Sequence, residues 1–146
     1  MDFDTRVKEK VYHHFASTGS APTPSQLAQQ LSCSSSDVRE AFGRLQRNRV
    51  LLLQREGGTI RMAPPFSAIP TPHRVVIGQL EYFANCAWDA LGIAAALHRA
   101  AVVHSSCGQS GAPLRLEVGL DGPEPSDWLF HCQVPAVRWW VDLVFT

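Results

Sequence analysis

The chain has 146 residues, 45% hydrophobic and 18% charged, with as many basic as acidic side chains; that length admits one domain or two small modules, and that balance excludes a largely disordered chain. No run reaches the roughly 18 to 20 apolar residues of a membrane span, and the N-terminal stretch MDFDTRVKEK lacks the apolar core of a secretory signal, so the reading is a cytoplasmic protein with no membrane partner. The charge is uneven, nine Lys/Arg against six Asp/Glu from Met1 to Met62 and four against seven from Ala63 to Thr146, a surplus compatible with touching DNA but short of the concentrated basic face of a strong binder.

Thr5 to Ser17 sets Val7, Val11, Tyr12 and Phe15 at helical intervals, and Gly19 with Pro22 closes the segment, which predicts a first helix. Pro24 and Ser25 open a short second helix with Leu27, Ala28 and Leu31 on one face, ended by the polar turn from Ser32 to Ser35. A third helix starts at Ser36, with Val38, Ala41, Phe42 and Leu45 sharing a face and Arg39, Arg44 and Arg47 elsewhere. The β-favouring run Val50 to Leu53, the Gly57-Gly58 turn signal and Thr59 to Met62 predict a hairpin. Three helices and a hairpin make a winged helix-turn-helix-like module the expectation for residues 1–63. Pro64, Pro65, Pro70 and Pro72 stiffen the next stretch, read as a linker over residues 64–73.

Beyond the linker, Arg74 to Ile77 reads as an extended segment and Asn85 to His98 as a helix rich in Ala and Leu. Ala101 to His104, Leu114 to Val118 and Trp128 to Val134 read as strands separated by turn residues, and Pro135 is placed to start a last helix holding Trp139 and Trp140. The fold class expected is α+β, the N-terminal module being followed by a small mixed domain over residues 74–146.

The segment with chemical content runs Tyr82-Phe83-Ala84-Asn85-Cys86-Ala87-Trp88-Asp89-Ala90-Leu91. Cys86 and Asp89 stand three apart, so on a helix both project from one face toward a common atom. A thiolate is the ligand that soft cations favour, and a cysteine in the first turn of a helix gains thiolate character from the open N–H groups there. Asp89 on a largely apolar helix needs a partner or a raised pKa suited to proton transfer. Set against this, cysteine is among the most buried residue types and a Cys-x-x-Asp spacing is common by chance.

The segment resembles the organomercurial lyase (alkylmercury lyase) family, in which an aromatic stretch leads into a cysteine followed three residues later by an aspartate and an apolar helix. The resemblance continues through the run from Leu97 to Cys107 and through Gly111-Ala112-Pro113-Leu114, and so covers most of residues 74–146. It implies an alkylmercury lyase-like domain, expected in mercury resistance, in which the Cys86 thiolate attacks the organomercurial and Asp89 carries the proton to the departing carbon. It implies no cofactor, Hg(II) bound to Cys86 as product, release to an external thiol, and a low-molecular-weight thiol or a mercuric reductase as acceptor.

The family pattern also places a second mercury-gripping cysteine after a Trp-rich helix of the type Arg138 to Thr146, where this sequence ends, so the chain reads as a truncated form or a variant lacking that thiol. Cys132 stands as the substitute metal ligand if its strand ends beside Cys86, with ordinary core as the competing reading. Cys107 matches a family cysteine outside the catalytic set, and Cys33 has no evident partner. The four cysteines show neither a CxxC zinc signature nor a disulfide framework, and the six histidines are adjacent or scattered rather than four apart on a helix, so zinc is not expected. Three functions of different class follow: a lyase on organomercurials, a homologue binding mercury or another soft metal without turnover, and a winged-helix regulator sensing a thiophilic ligand.

Overall fold

The computed structural model describes residues 1–144 and divides into two compact units, Met1–Pro70 and Thr71–Thr146. In the first, each helix begins where a short polar side chain accepts from the backbone N–H groups that a helix leaves open. Asp2 accepts from the Thr5 N–H ahead of α1 (Phe3–Thr18). Thr23 with Gln26 forms a reciprocal capping box ahead of α2 (Pro24–Leu31), and Ser34 with Asp37 forms another ahead of α3 (Ser35–Arg47). The three helices pack on one another through Val7, Val11 and Phe15, Leu27 and Leu31, and Val38, Phe42 and Leu45, all buried.

The predicted hairpin forms, β1 (Leu52–Leu53) pairing antiparallel with β2 (Ile60–Ala63). Within the Pro-rich stretch, β3 (Phe66–Ser67) adds a third antiparallel strand beside β2. Phe66 is buried and stacks on Phe15 with ring centroids 5.2 Å apart. Pro64 and Pro65 precede this strand, so no ladder N–H is lost to them, and a proline count alone conceals it.

The second unit is an antiparallel sheet of β4 (His73–Ile77), β5 (Leu80–Ala84), β6 (Ala101–Ser106), β7 (Pro113–Gly119) and β8 (Gly122–Pro123), in the spatial order β5-β4-β6-β7-β8. Gly78, at φ +63°, makes the two-residue turn from β4 to β5 that a side chain would strain. Because side chains alternate, one face gathers Val75 and Ile77 of β4, Tyr82 and Ala84 of β5, and Ala101 and Val103 of β6, all buried. Against these three strands lies α4 (Ala87–Leu97), which buries Ala90, Ile93 and Ala94. His73 and Ser105 continue the same face, at the sheet end from which α4 departs.

Several expectations are corrected. Leu80–Ala84, given no element in the sequence reading, are a strand, and the helix begins at Ala87 rather than Asn85. The strand expected from Trp128 to Val134 does not form: the segment is irregular and Leu129 is 94% exposed, since β8 already occupies the free edge of β7. The last helix after Pro135 is a short 3-10 helix, Ala136–Val141, with the Trp139 Nε1–H donating to the Val134 carbonyl. Phe145 and Thr146, the end of the expected Trp-rich helix, lie outside the described residues.

The fully buried Ile93 is the main apolar anchor of α4 on the sheet. Ile93→Ala is therefore expected to cost about 2–5 kcal/mol, against about 1 kcal/mol for Ile93→Val, measured by chemical denaturation.

Candidate active site

Cys86 is the N-cap of α4, its backbone extended at φ −146° and ψ 175°, and Asp89 is the third helical residue. At a helix N-terminus the first N–H groups have no intrahelical acceptor. Here the Cys86 sulfur fills that role, accepting from the Asp89 N–H at 3.5 Å. The Asp89 carboxyl lies near enough for it and the thiol to shift one another's proton affinity. Thiol and carboxyl are thus brought together, both half-buried, where the i,i+3 spacing set them.

Burial dominates the electrostatics of the pair. It pushes the Cys86 thiol above its ordinary value, the neighbouring Asp89 charge pushes it the same way, and the backbone N–H groups pull against them without prevailing. The thiolate expected from a helix N-terminus is corrected by this result: desolvation outweighs the N–H groups. Asp89 is pushed up to about 6 by burial, with the Cys86 hydrogen bond pulling down. In the resting pair the proton therefore stays on sulfur, and it moves toward the carboxyl only when a soft cation takes the sulfur and acidifies the thiol.

Around the pair, His73 Nδ1 and Ser105 Oγ are 2.8 Å apart, and burial holds the His73 imidazole below its ordinary value, hence neutral at pH 7. The Asn85 amide donates to the Leu143 carbonyl at 2.9 Å. Trp88, 55% exposed in the first turn of α4, meets Phe130 with ring centroids 5.8 Å apart. Sequence reasoning missed His73 and Ser105, which sit 32 residues apart and meet only through the β4–β6 register.

The remaining cysteines take other places. Cys132 is exposed, lies on no strand, and donates to the Val134 carbonyl at 2.8 Å. Cys107 ends β6 in a turn, its thiol held below the ordinary value by hydrogen bonds from Ser110 and from the Gln109 backbone. Cys33 is half-buried in the first unit, beside Asp37, Glu40 and Arg44. Among the described residues no three His, Cys, Asp or Glu side chains gather to hold a metal ion. Nor is any helix among them long and apolar enough to cross a membrane. Of the α3 arginines, Arg39 donates to the Gly57 carbonyl at 2.8 Å and Arg44 forks onto Asp4, leaving Arg47 as the exposed one not committed to these contacts.

A family model described as alkylmercury lyase matches residues 66–146. Among solved structures, the mercury-bound form of MerB2 superimposes with a TM-score of 0.69 at 22% identity, covering 87% of this chain and 61% of that one. The likeness establishes the fold, and the chain spans about three fifths of the length of that relative. No curated protein matches.

Two outcomes test the electrostatics. Since the Asp89 pKa is raised on folding, its ionisation works against the folded state, and that loss sets in as pH climbs from about 4 through about 6. The stability of Asp89→Asn relative to the parent chain is expected to improve by about 2 kcal/mol between pH 4 and pH 7.5, read from denaturation curves at each pH. The same substitution removes a charge that opposes the Cys86 thiolate, so the pH midpoint for alkylation of Cys86 falls.

Proposed function

Because the chain belongs to the alkylmercury lyase family, we propose that it cleaves carbon–mercury bonds by protonolysis, with Cys86 taking the mercury and Asp89 carrying the proton. Members of the family act without a cofactor, Hg(II) being a product. The observation that carries the reading is the juxtaposition, at the N-terminus of α4, of a half-buried Cys86 sulfur that accepts from the Asp89 N–H and an Asp89 carboxyl pushed up to about 6 by burial.

The steps balance around one proton. An organomercurial R–Hg–X, with X an exchangeable thiolate, meets the Cys86 thiol; a sulfur–mercury bond forms, X departs, and the thiol proton moves to Asp89. Asp89 then protonates the carbon bound to mercury, the electron pair of the carbon–mercury bond becomes the new C–H bond, and RH leaves. Hg(II) stays on the Cys86 sulfur, its remaining charge met by an external thiolate. A second external thiolate displaces Cys86, which regains a proton from the medium. General acid catalysis of this kind contributes about 10²- to 10⁴-fold. A low-molecular-weight thiol or a mercuric reductase would receive the ion.

A second reading, a homologue that holds mercury or another soft metal without turnover, is favoured by one observation: Cys132, the substitute second thiol, is exposed and bound to the Val134 carbonyl. One incubation separates the two. With phenylmercury and excess thiol, turnover releases benzene, measured in the headspace; Cys86→Ser releases none, and Asp89→Asn retains bound mercury while releasing benzene at least 100-fold more slowly. Full activity in Cys86→Ser sinks the site, and stoichiometric mercury capture with no benzene selects the second reading.

A further inference from the structure

We propose that Thr71 is a positioning residue for Cys86, its hydroxyl tying the last peptide of β5 to β4; the inference rests on Cys86 and Asp89 being the reacting pair. The β4–β5 ladder ends at the pair His73 and Ala84. Two residues farther, the same register would set Thr71 against Cys86, on the face of the sheet that α4 covers. No further ladder pair forms there, and a side chain closes the gap. The Thr71 hydroxyl donates to the Ala84 carbonyl, and its oxygen accepts from the His73 N–H at 3.2 Å.

The tether acts at a sensitive point. Ala84 is the last residue of β5, Cys86 caps α4, and one residue separates them. In those few bonds the chain must leave the sheet and present an extended N-cap whose sulfur meets the Asp89 N–H and carboxyl. Fixing the Ala84 peptide fixes the origin of that turn. From the other side, the Asn85 amide is held by the Leu143 carbonyl, and the start of β4 is held to β6 by His73 and Ser105. Thr71 is the member of this set that bonds the strand carrying the cysteine directly. The hydroxyl performs the tie, so serine preserves it, whereas valine keeps the shape of the side chain and abolishes the bond.

The test uses the full chain with Thr71→Val, Thr71→Ala and Thr71→Ser, comparing the pH profile of Cys86 alkylation, read on the Cys86 peptide by mass spectrometry, with phenylmercury kinetics. Loss of the tether is expected to move the alkylation midpoint down toward that of an ordinary thiol, raise the alkylation rate at pH 7.5 at least threefold, and lower kcat at least tenfold with KM within twofold. Thr71→Ser is expected to restore both profiles. A parental midpoint in folded Thr71→Val and Thr71→Ala overturns the proposal, as does a Thr71→Ser profile displaced as far as theirs. Because alkylation needs no organomercurial, a midpoint that moves and is rescued by serine supports Thr71 even if no benzene forms, so failure of the lyase reading is seen separately.

Discussion

A helix N-terminus offers unpaired N–H groups, and an oxygen side chain ordinarily meets them. In this chain a sulfur does so, with a carboxyl three residues on beside it. Either group alone would be a poor resident of a half-buried site: a thiolate or carboxylate loses hydration there, and a lone neutral thiol satisfies few donors. Together they can hold one proton and one negative charge between them, with the α4 N–H groups and the helix dipole stabilising that charge. The cap, the pair and the raised proton affinity of Asp89 are one arrangement viewed from different sides.

The sheet makes the arrangement possible. Cys86 must be extended to cap α4 yet lie close to the face that α4 covers, so β5 has to end on that face and the helix has to start at once. Alternation supplies this, since Tyr82 and Ala84 point toward α4 and an extended residue two beyond Ala84 keeps the same sense. The apolar character of α4 serves the same end, with Ile93 and Ala94 pinning the helix so that its first turn cannot slide. Packing far from the sulfur thereby sets the distance between sulfur and carboxyl.

What was legible in the sequence follows the range of the interactions involved. Helices with local caps, such as those opened by Thr23 and Ser34, announce themselves within four residues, and so does the meeting of Cys86 with Asp89. The strand β5 was hidden because its aromatic and apolar residues run straight into a helical pattern, leaving no turn signal between them. Trp128 to Val134 shows the converse: β-favouring residues make no strand without a free edge to pair with. The protonation of Cys86 was misjudged for a related reason. The N–H groups that favour a thiolate are local and visible, whereas the burial that disfavours it depends on how the chain folds around the site. Thr71 and His73 were passed over because their partners, Ala84 and Ser105, lie 13 and 32 residues away.

For the proposed lyase reaction a raised thiol pKa looks like a handicap, but the chemistry of its second step reverses that judgement. Hg(II) binds sulfur strongly enough to displace a proton from a thiol, so capture does not require a thiolate waiting in advance. Protonolysis does require a proton at the carbon once mercury is bound, and a pre-ionised cysteine would bring none. A thiol that stays protonated until the metal arrives would release its proton at the moment of binding, with Asp89 as the acceptor beside it. With an ordinary carboxylate pKa, Asp89 would hold that proton too weakly to keep it from water. Pushed to about 6 by burial, it can both receive the proton from sulfur and surrender it to carbon. In the proposed reaction, desolvation, which costs the fold stability, is thus what would couple mercury capture to delivery of the proton.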